Sequence, residues 1–242
     1  MNIEKLEVKE LNPNRAIEMS TETVKKGADL LEKSARILLV CKRFFLTKLR
    51  PYLPSNAVSI AQFGLKAKLF NLLNREALKR GEFVLSSGKV SKYYLDGRII
   101  TLTPEGAYLT ASIILELIKD EGVDAVGGPT LGADPIVGAL AALSHIKGAP
   151  IKTFIVRKEA KSHGMQRQIE GPALKENARV ILVDDVATTG KALIEAKQAL
   201  DKIGAKVEKA VVIVDRLEGA EENLAKTGLK LESIFTINDF GL

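Results

Sequence analysis

The stretch Val180-Ile181-Leu182-Val183-Asp184-Asp185-Val186-Ala187-Thr188-Thr189-Gly190-Lys191-Ala192-Leu193 decides how the rest of the chain reads. Its first four residues are aliphatic without a break, the pattern of a strand buried on both faces of a parallel sheet. Two acids follow. Thr188-Thr189-Gly190 then turns the chain, and Lys191 to Leu200 is rich in helix-favouring residues. Such an order of strand, acids, small-residue turn and helix places polar groups at the carboxyl edge of a sheet. That edge is where open α/β folds bind ligands.

The turn carries its own chemistry. Free amides at a helix start, with the hydroxyls of Thr188 and Thr189, form a seat for phosphate, and Gly190 lets the backbone approach closely. Two adjacent carboxylates repel phosphate, so Asp184 and Asp185 are expected to face ribose hydroxyls or the water shell of magnesium. As a pair of acids alone, they are equally well explained as the charged end of a buried strand. The stretch has neither the Gly-x-x-x-x-Gly-Lys-Ser/Thr loop of nucleoside triphosphatases nor the Gly-x-Gly-x-x-Gly of dinucleotide sites.

Taken whole, the pattern resembles the phosphoribosyl pyrophosphate (PRPP) signature of the type I phosphoribosyltransferases. The resemblance implies that Val186, Ala187, Thr188, Thr189, Gly190, Lys191 and Ala192 bind PRPP, its 5-phosphate lying on the Thr-Thr-Gly turn. It also implies Asp184 and Asp185 as catalytic acids facing the ribose, and Mg2+ as the cofactor, held on PRPP and reached through water by those two acids.

Outside this stretch, 242 residues allow one large domain with an appendage and a substantial core. One cysteine, Cys41, excludes an intramolecular disulfide framework and agrees with a reducing cytoplasm. No segment approaches the ~20 apolar residues of a membrane span. The net charge is +6, but residues 1–68 hold 13 Lys/Arg against 7 Asp/Glu, whereas residues 69–242 hold 23 of each. The excess charge therefore belongs to the N-terminal segment.

The chain divides into a basic, mainly helical extension, 1–68, and a catalytic domain, 69–242, with a hood at about 69–103. In the extension, Val24, Ala28, Leu31, Ala35 and Leu38 recur at helical spacing, and no acid occurs between Lys33 and Arg75. Arg36, Lys42, Arg43, Lys48 and Arg50 interleave with Phe44, Phe45, Leu46 and Leu49. We read this as a helix packing on its own domain or on a second subunit, with an anionic membrane surface or nucleic acid as the alternative. Ser55 to Gly64 reads as linker, and Ala67 to Arg80 as a helix closed by Gly81. Two short strands around a turn follow, near 82–87 and 92–98, and Pro104 opens a helix. Strands are predicted near 124–128, 151–156, 179–184, 207–214 and 231–236, and helices near 133–146, 190–203 and 217–227. The fold class is α/β, a mostly parallel central sheet flanked by helices, with a small hood and an N-terminal helical extension.

Three flanking motifs narrow the resemblance to the orotate phosphoribosyltransferases within that family, over roughly residues 70–242. Arg80 to Asp96 is similar to their hood motif, Arg157-Lys158-Glu159-Ala160-Lys161-Ser162-His163-Gly164 to their mobile catalytic loop, and Val214-Asp215-Arg216 to the arginine near the orotate carboxylate. The resemblance implies transfer of ribose 5-phosphate from PRPP to orotate, forming orotidine 5'-phosphate and pyrophosphate in de novo pyrimidine (UMP) biosynthesis. It implies Lys161 and His163 as catalytic residues that, with Arg157 and Lys158, also bind PRPP. Orotate is implied to contact Thr188, Arg216, Tyr93 and Tyr94, in a homodimer whose subunits share the loop. Cations on one segment suit a departing pyrophosphate, and a fork donor at Arg216 suits a carboxylate. Alone, the loop residues would read as a solvated basic run, and Arg216 as a strand-end salt bridge.

Two departures stand out. Many orotate enzymes carry Tyr-Lys where this chain has Leu131-Gly132, and a lysine where it has Ser86. Pyrophosphate is then left to backbone amides of Gly128 to Gly132, with Leu131 as packing. The competing functions are a phosphoribosyltransferase for another base and a PRPP-responsive nucleic-acid-binding regulator. Against the regulator, residues 1–68 show no strand pair for a wing, so nucleic acid is not an expected partner.

Overall fold

Val180 to Val183 form the middle of strand β6 (Arg179–Ala187) and are buried on both faces. The computed structural model describes residues 55–84, 90–158 and 168–242, with side chains from Gly64 onward. Expectations for the extension before Ser55, and for Ser86, Lys161 and His163, lie outside the described residues. From Ile60 to Leu242 the chain forms one compact unit.

Strand β6 sits inside a six-stranded sheet of order β5-β4-β3-β6-β7-β8. Strands β3 (Ala125–Pro129), β4 (Lys152–Val156), β7 (Lys206–Asp215) and β8 (Lys230–Thr236) run parallel with it. Only the two-residue β5 (Ile169–Glu170) is antiparallel, against β4. The alternation of side chains splits the core in two. Ile181 and Val183 pack with helices α3 (Pro104–Ile118) and α4 (Ala133–Ile146) through Ile113, Ile114, Ile136 and Leu140. Val180 and Leu182 pack with α5 (Lys191–Asp201) and α6 (Ala220–Ala225) through Leu193, Leu200 and Leu224. Each such fully buried aliphatic side chain contributes roughly 1.5–3 kcal/mol. The mostly parallel sheet with helices on both faces is the fold class read from the sequence.

The hood differs from the expectation. Ser55 to Gly64 is not a linker but part of helix α1 (Ser55–Leu72). No proline interrupts it, and a Cβ at Gly64 would meet nothing within 4 Å, so that glycine carries only its intrinsic helix penalty. The boundary expected at 68/69 falls inside this helix. Nor does a helix continue to Arg80. After a π turn, Leu73–Ala77, strand β1 (Leu78–Val84) pairs antiparallel with β2 (Val90–Leu95). Leu78 faces Leu95 and both are buried, so cross-strand burial overrides the helix preference of Ala77-Leu78-Lys79-Arg80. A single-turn helix, α2 (Arg98–Thr101), then leads into α3.

Candidate active site

At the carboxyl end of β6, Asp184 is buried and Asp185 half-buried. The pair is held from its own backbone. The Asp185 amide donates to Asp184 Oδ1 (3.0 Å), and the Val186 amide to Asp185 Oδ1 (2.9 Å). Burial, then the charge of Asp185, pushes the Asp184 carboxyl well above the usual carboxylate range. Burial also raises Asp185, but the Val186 amide, then Asp184 and the Arg98 guanidinium, favour its charged form. Two glycines let other loops close over the acids. A Cβ at Gly132 would lie 2.1 Å from Asp184 Oδ1 and 2.4 Å from Asp185 Oδ1, and one at Gly97 would lie 2.8 Å from Asp185 Cβ.

Past the acids, residues Val186 to Leu193 wrap a cavity of about 190 Å³ that Asp184 also lines. Gly190 has φ +75°, the left-handed conformation that favours glycine, and a Cβ there would crowd Leu224 Cγ at 3.1 Å. Beyond Thr188, the first amide among the described residues with a backbone partner is that of Ile194, on Gly190 O (3.0 Å). The preceding amides are available to an anion at the start of α5. Thr188 is half-buried and Thr189 exposed. Lys191 points away, with a side chain 81% exposed and an ion pair to Glu195 at 3.7 Å.

The base side is assembled by the pairing of β6 with β7, which sets Ala187 beside Asp215. The Arg216 amide donates to Ala187 O (2.9 Å), and its Nε donates to the Tyr93 hydroxyl (3.1 Å). Its Cζ lies 4.9 Å from the Tyr93 ring centroid. Arg216 and Tyr93, 123 residues apart, are thus brought together with the Thr188 turn. Tyr94 is not. It takes the opposite face of β2, exposed beside Phe83 at a ring separation of 5.9 Å, as the period of two in a strand requires.

Arg157 and Lys158 follow β4 and line a small recess with Pro129, Gln168 and Ala192. Arg157 receives Gln168 Nε2 on its carbonyl (3.1 Å) and its Nη1 reaches Glu170 at 3.5 Å. The β4–β5 pair therefore anchors both ends of the segment that carries Lys161 and His163, residues that lie outside the described ones. In the turn from Gly128 to Gly132, the Thr130 amide already donates to Val156 O (3.0 Å) and is not available to pyrophosphate. The expectation that Leu131 packs is overturned: it is 64% exposed, on the rim of a groove shared with Ile99, Leu102 and Pro135. The turn runs straight into α4 and leaves the leucine outside the core.

Three groups at the site escaped the sequence reading. Asp96 accepts Arg98 Nε and Nη2, both at 2.9 Å, and this fork holds the Asp96 carboxyl below its usual range. Asp134, at the start of α4, is raised by burial, and its Oδ1 has no hydrogen bond among the described residues. Glu218 binds Arg216 Nη2 at 2.9 Å. Asp96-Gly97-Arg98 at a strand end was a signal that the sequence carried; Asp134 and Glu218 had none.

Comparison with known proteins agrees with this geometry. Residues 100–242 match the phosphoribosyl transferase domain family. An orotate phosphoribosyltransferase from Nostoc is 45% identical over 175 residues, 72% of this chain and 84% of its own length. One from Aquifex aeolicus is 45% identical over 177 residues, covering 72% of this chain and 96% of its own. The crystal structure of Mycobacterium tuberculosis orotate phosphoribosyltransferase in complex with Fe(III) dicitrate superposes with a TM-score of 0.66 at 39% identity, over 74% of this chain and 99% of that one. The same enzyme in complex with PRPP gives 0.62 at 35% identity, over the same shares of the two chains.

Proposed function

Because this chain belongs to the orotate phosphoribosyltransferase family, we infer that its site joins orotate to the ribose 5-phosphate of PRPP, in pyrimidine biosynthesis. One observation carries the assignment of parts: the Thr188–Ala192 turn, the acid pair and Arg216 border one another at the ends of β6 and β7. A phosphate seat, a ribose-facing pair and a carboxylate-seeking fork in that order match the substrates' own sequence of groups. The amides and hydroxyls of the turn hold the 5-phosphate. Asp184 and Asp185 take the ribose diol, and Arg216 the orotate carboxylate. Arg157, Lys158, Lys161 and His163 supply positive charge where pyrophosphate departs, and the loop excludes water as it closes.

Mg2+ fits this donor set as a substrate-borne ion. Among the described residues there is no cluster of three or more His, Cys, Asp or Glu that could hold a metal ion. Two neighbouring carboxylates suit an ion that keeps most of its water and its substrate oxygens. When bound, Mg2+ neutralises charge on the leaving pyrophosphate. Asp184 and Asp185 would hold it through water. The single cysteine, Cys41, supports a reducing, cytoplasmic setting, and among the described residues no helix is long and apolar enough to cross a membrane.

The assay is direct: purified protein with PRPP, Mg2+ and orotate should consume orotate, followed by its absorbance. Consumption of another base, with orotate left untouched, would reject the assignment.

The active unit we propose is a twofold dimer whose catalytic loop serves the neighbouring site. An exposed apolar surface of Ile99, Leu102 and Leu131 supports it, because such clusters mark contact surfaces. It borders a groove of about 630 Å³ lined also by Asp96, Arg98 and Asp134, beside the acid pair. Lys161→Ala spoils the loop and Asp185→Asn spoils the ribose seat, so each homodimer should be nearly inactive. Random subunit exchange makes about half the dimers mixed, and roughly a quarter of all sites should then regain an intact seat served by an intact loop. No gain after verified exchange would reject the shared site.

A further inference from the structure

We propose that Glu218 is a positioning residue that aims Arg216 at the carboxylate of the base. The inference rests on the reading of Arg216 as the orotate-carboxylate donor.

Arg216 lies just past β7, on a turn that the chain builds with some care. Asp215 is buried, and its Oδ1 accepts the Leu217 amide at 2.9 Å. Leu217 takes φ +56°, a left-handed conformation uncommon outside glycine, and Gly219 follows at φ +95°. These two reversals carry Glu218 back over the Arg216 side chain. Arg216 is only 10% exposed there, and two of its three guanidinium nitrogens are occupied: Nε by the Tyr93 hydroxyl at 3.1 Å, Nη2 by Glu218 Oε1 at 2.9 Å.

The consequences follow from fork geometry. A guanidinium is a rigid plane, so two acceptors on adjacent nitrogens fix the direction of the third. Among the described residues, Nη1 makes no hydrogen bond or ion pair, and it is the edge left to a ligand. Glu218 also supplies the counter-charge that a nearly buried arginine requires before substrate arrives. With it in place, an incoming carboxylate meets an oriented donor, and little side-chain freedom is lost on binding. Without it, Arg216 would keep Tyr93 alone and could swing about the Nε contact. In this proposal Glu218 acts through its ion pair with Arg216 Nη2 and not by its own contact with either substrate. Its effect should therefore appear in base binding and not in the handling of PRPP.

Steady-state kinetics of the full chain test this. Glu218→Ala should raise the KM for orotate about tenfold, with kcat within about twofold of wild type and the KM for PRPP unchanged. Glu218→Gln keeps an acceptor for Nη2 and should bring the orotate KM back to within about threefold. Glu218→Asp withdraws the acceptor by one methylene while keeping the charge, so it should resemble alanine; it also serves if the alanine variant folds poorly. An orotate KM that stays unchanged or falls in Glu218→Ala overturns the proposal, the fall marking Glu218 as a competitor for Arg216. A uniform loss in kcat and both KM values, matched by a lower Tm, overturns it as well, since that is a purely structural role. Wild-type protein that does not use orotate removes the functional reading and this inference with it. Wild-type activity with an unmoved Glu218→Ala removes the inference alone.

Discussion

Asp185→Asn is expected to lower turnover roughly ten- to hundredfold, the loss that follows when a charge-assisted contact worth about 1.5–3 kcal/mol is removed from the reacting complex. Asp184→Asn should lower it less, because the two carboxyls do not share their charge equally. Asp184 is the more buried and sits against the charge of its neighbour, which favours its protonated form. Burial raises Asp185 too, but the Val186 amide, then Asp184 and the Arg98 guanidinium, favour its charged form, so the charge is expected to sit mainly on Asp185, and asparagine there removes it. The two variants should also separate in stability. A carboxyl raised by folding binds its proton more tightly in the folded chain than in the unfolded one. Its favourable contribution is lost as pH climbs from the ordinary carboxylate range through the raised value, and at neutral pH the ionised group is a net cost. Asp184→Asn removes that cost and keeps an oxygen for the Asp185 amide. A Tm gain of about 2–4 °C is expected at pH 7, on the order of 1 kcal/mol, shrinking as the pH falls toward 4. Equal activity in wild type and both variants would remove the ribose-facing role. A lowered Tm in Asp184→Asn would reverse the assignment of the buried charge.

Gly128→Ala should be the most damaging single methyl in the domain core. Gly128 lies in β3 against β6, where a Cβ would stand 1.9 Å from Val183 O and 2.7 Å from Ala133 Cβ. Neither neighbour is the free end of a flexible side chain: one is the backbone of the central strand, the other the first turn of α4. Relief requires β3 and β6 to part at the residue before Asp184, which moves the acids with the strand. Overpacking of this kind costs about 1–3 kcal/mol, and the backbone clash puts Gly128→Ala at the upper end, about 6–12 °C in Tm. Displacing the acid pair by about 1 Å should reduce turnover by about a hundredfold in the molecules that still fold. Thermal melts and kinetics read both, and a variant within 2 °C of wild type in Tm, on the scale of well under about 1 kcal/mol, would show that the sheet yields where we hold it rigid. Gly138, exposed on α4 with nothing within 4 Å of an added Cβ, is the matched control.

The contrast between these glycines marks what the sequence determined and what it did not. Local order was legible wherever one short stretch carried a whole device. Val180 to Leu193 gave strand, acids, turn and helix within fourteen consecutive residues, and the structure has them as β6, the phosphate turn and α5. The helix read over 133–146 and the parallel strands after residue 124 were legible for the same reason: periodicity and strand burial are properties of neighbours in sequence. The hood was misread because its boundary is decided at a distance. Ala77-Leu78-Lys79-Arg80 favours a helix by itself and becomes a strand only because Leu95 lies opposite Leu78.

The site divides along the same line. Residue types for phosphate, ribose and carboxylate could be named from motifs, but their grouping could not. That Tyr93 rather than Tyr94 meets Arg216 follows from which face β2 presents, and that in turn from its pairing with β1. Arg98 beside Asp185, and Gly132 and Gly97 pressed against the acids, depend on loops converging from separate strands, while Glu218 meets Arg216 only because the turn after β7 folds back on itself. Leu131 looked like packing because a leucine in a turn ordinarily finds a neighbour; here the turn runs straight into α4 and leaves it exposed. Charge state was decided there too. Two adjacent aspartates are the same pair of acids in any sequence, and only burial at the end of a central strand, with the Val186 amide and the Arg98 guanidinium favouring the charged form of Asp185, makes them chemically unequal.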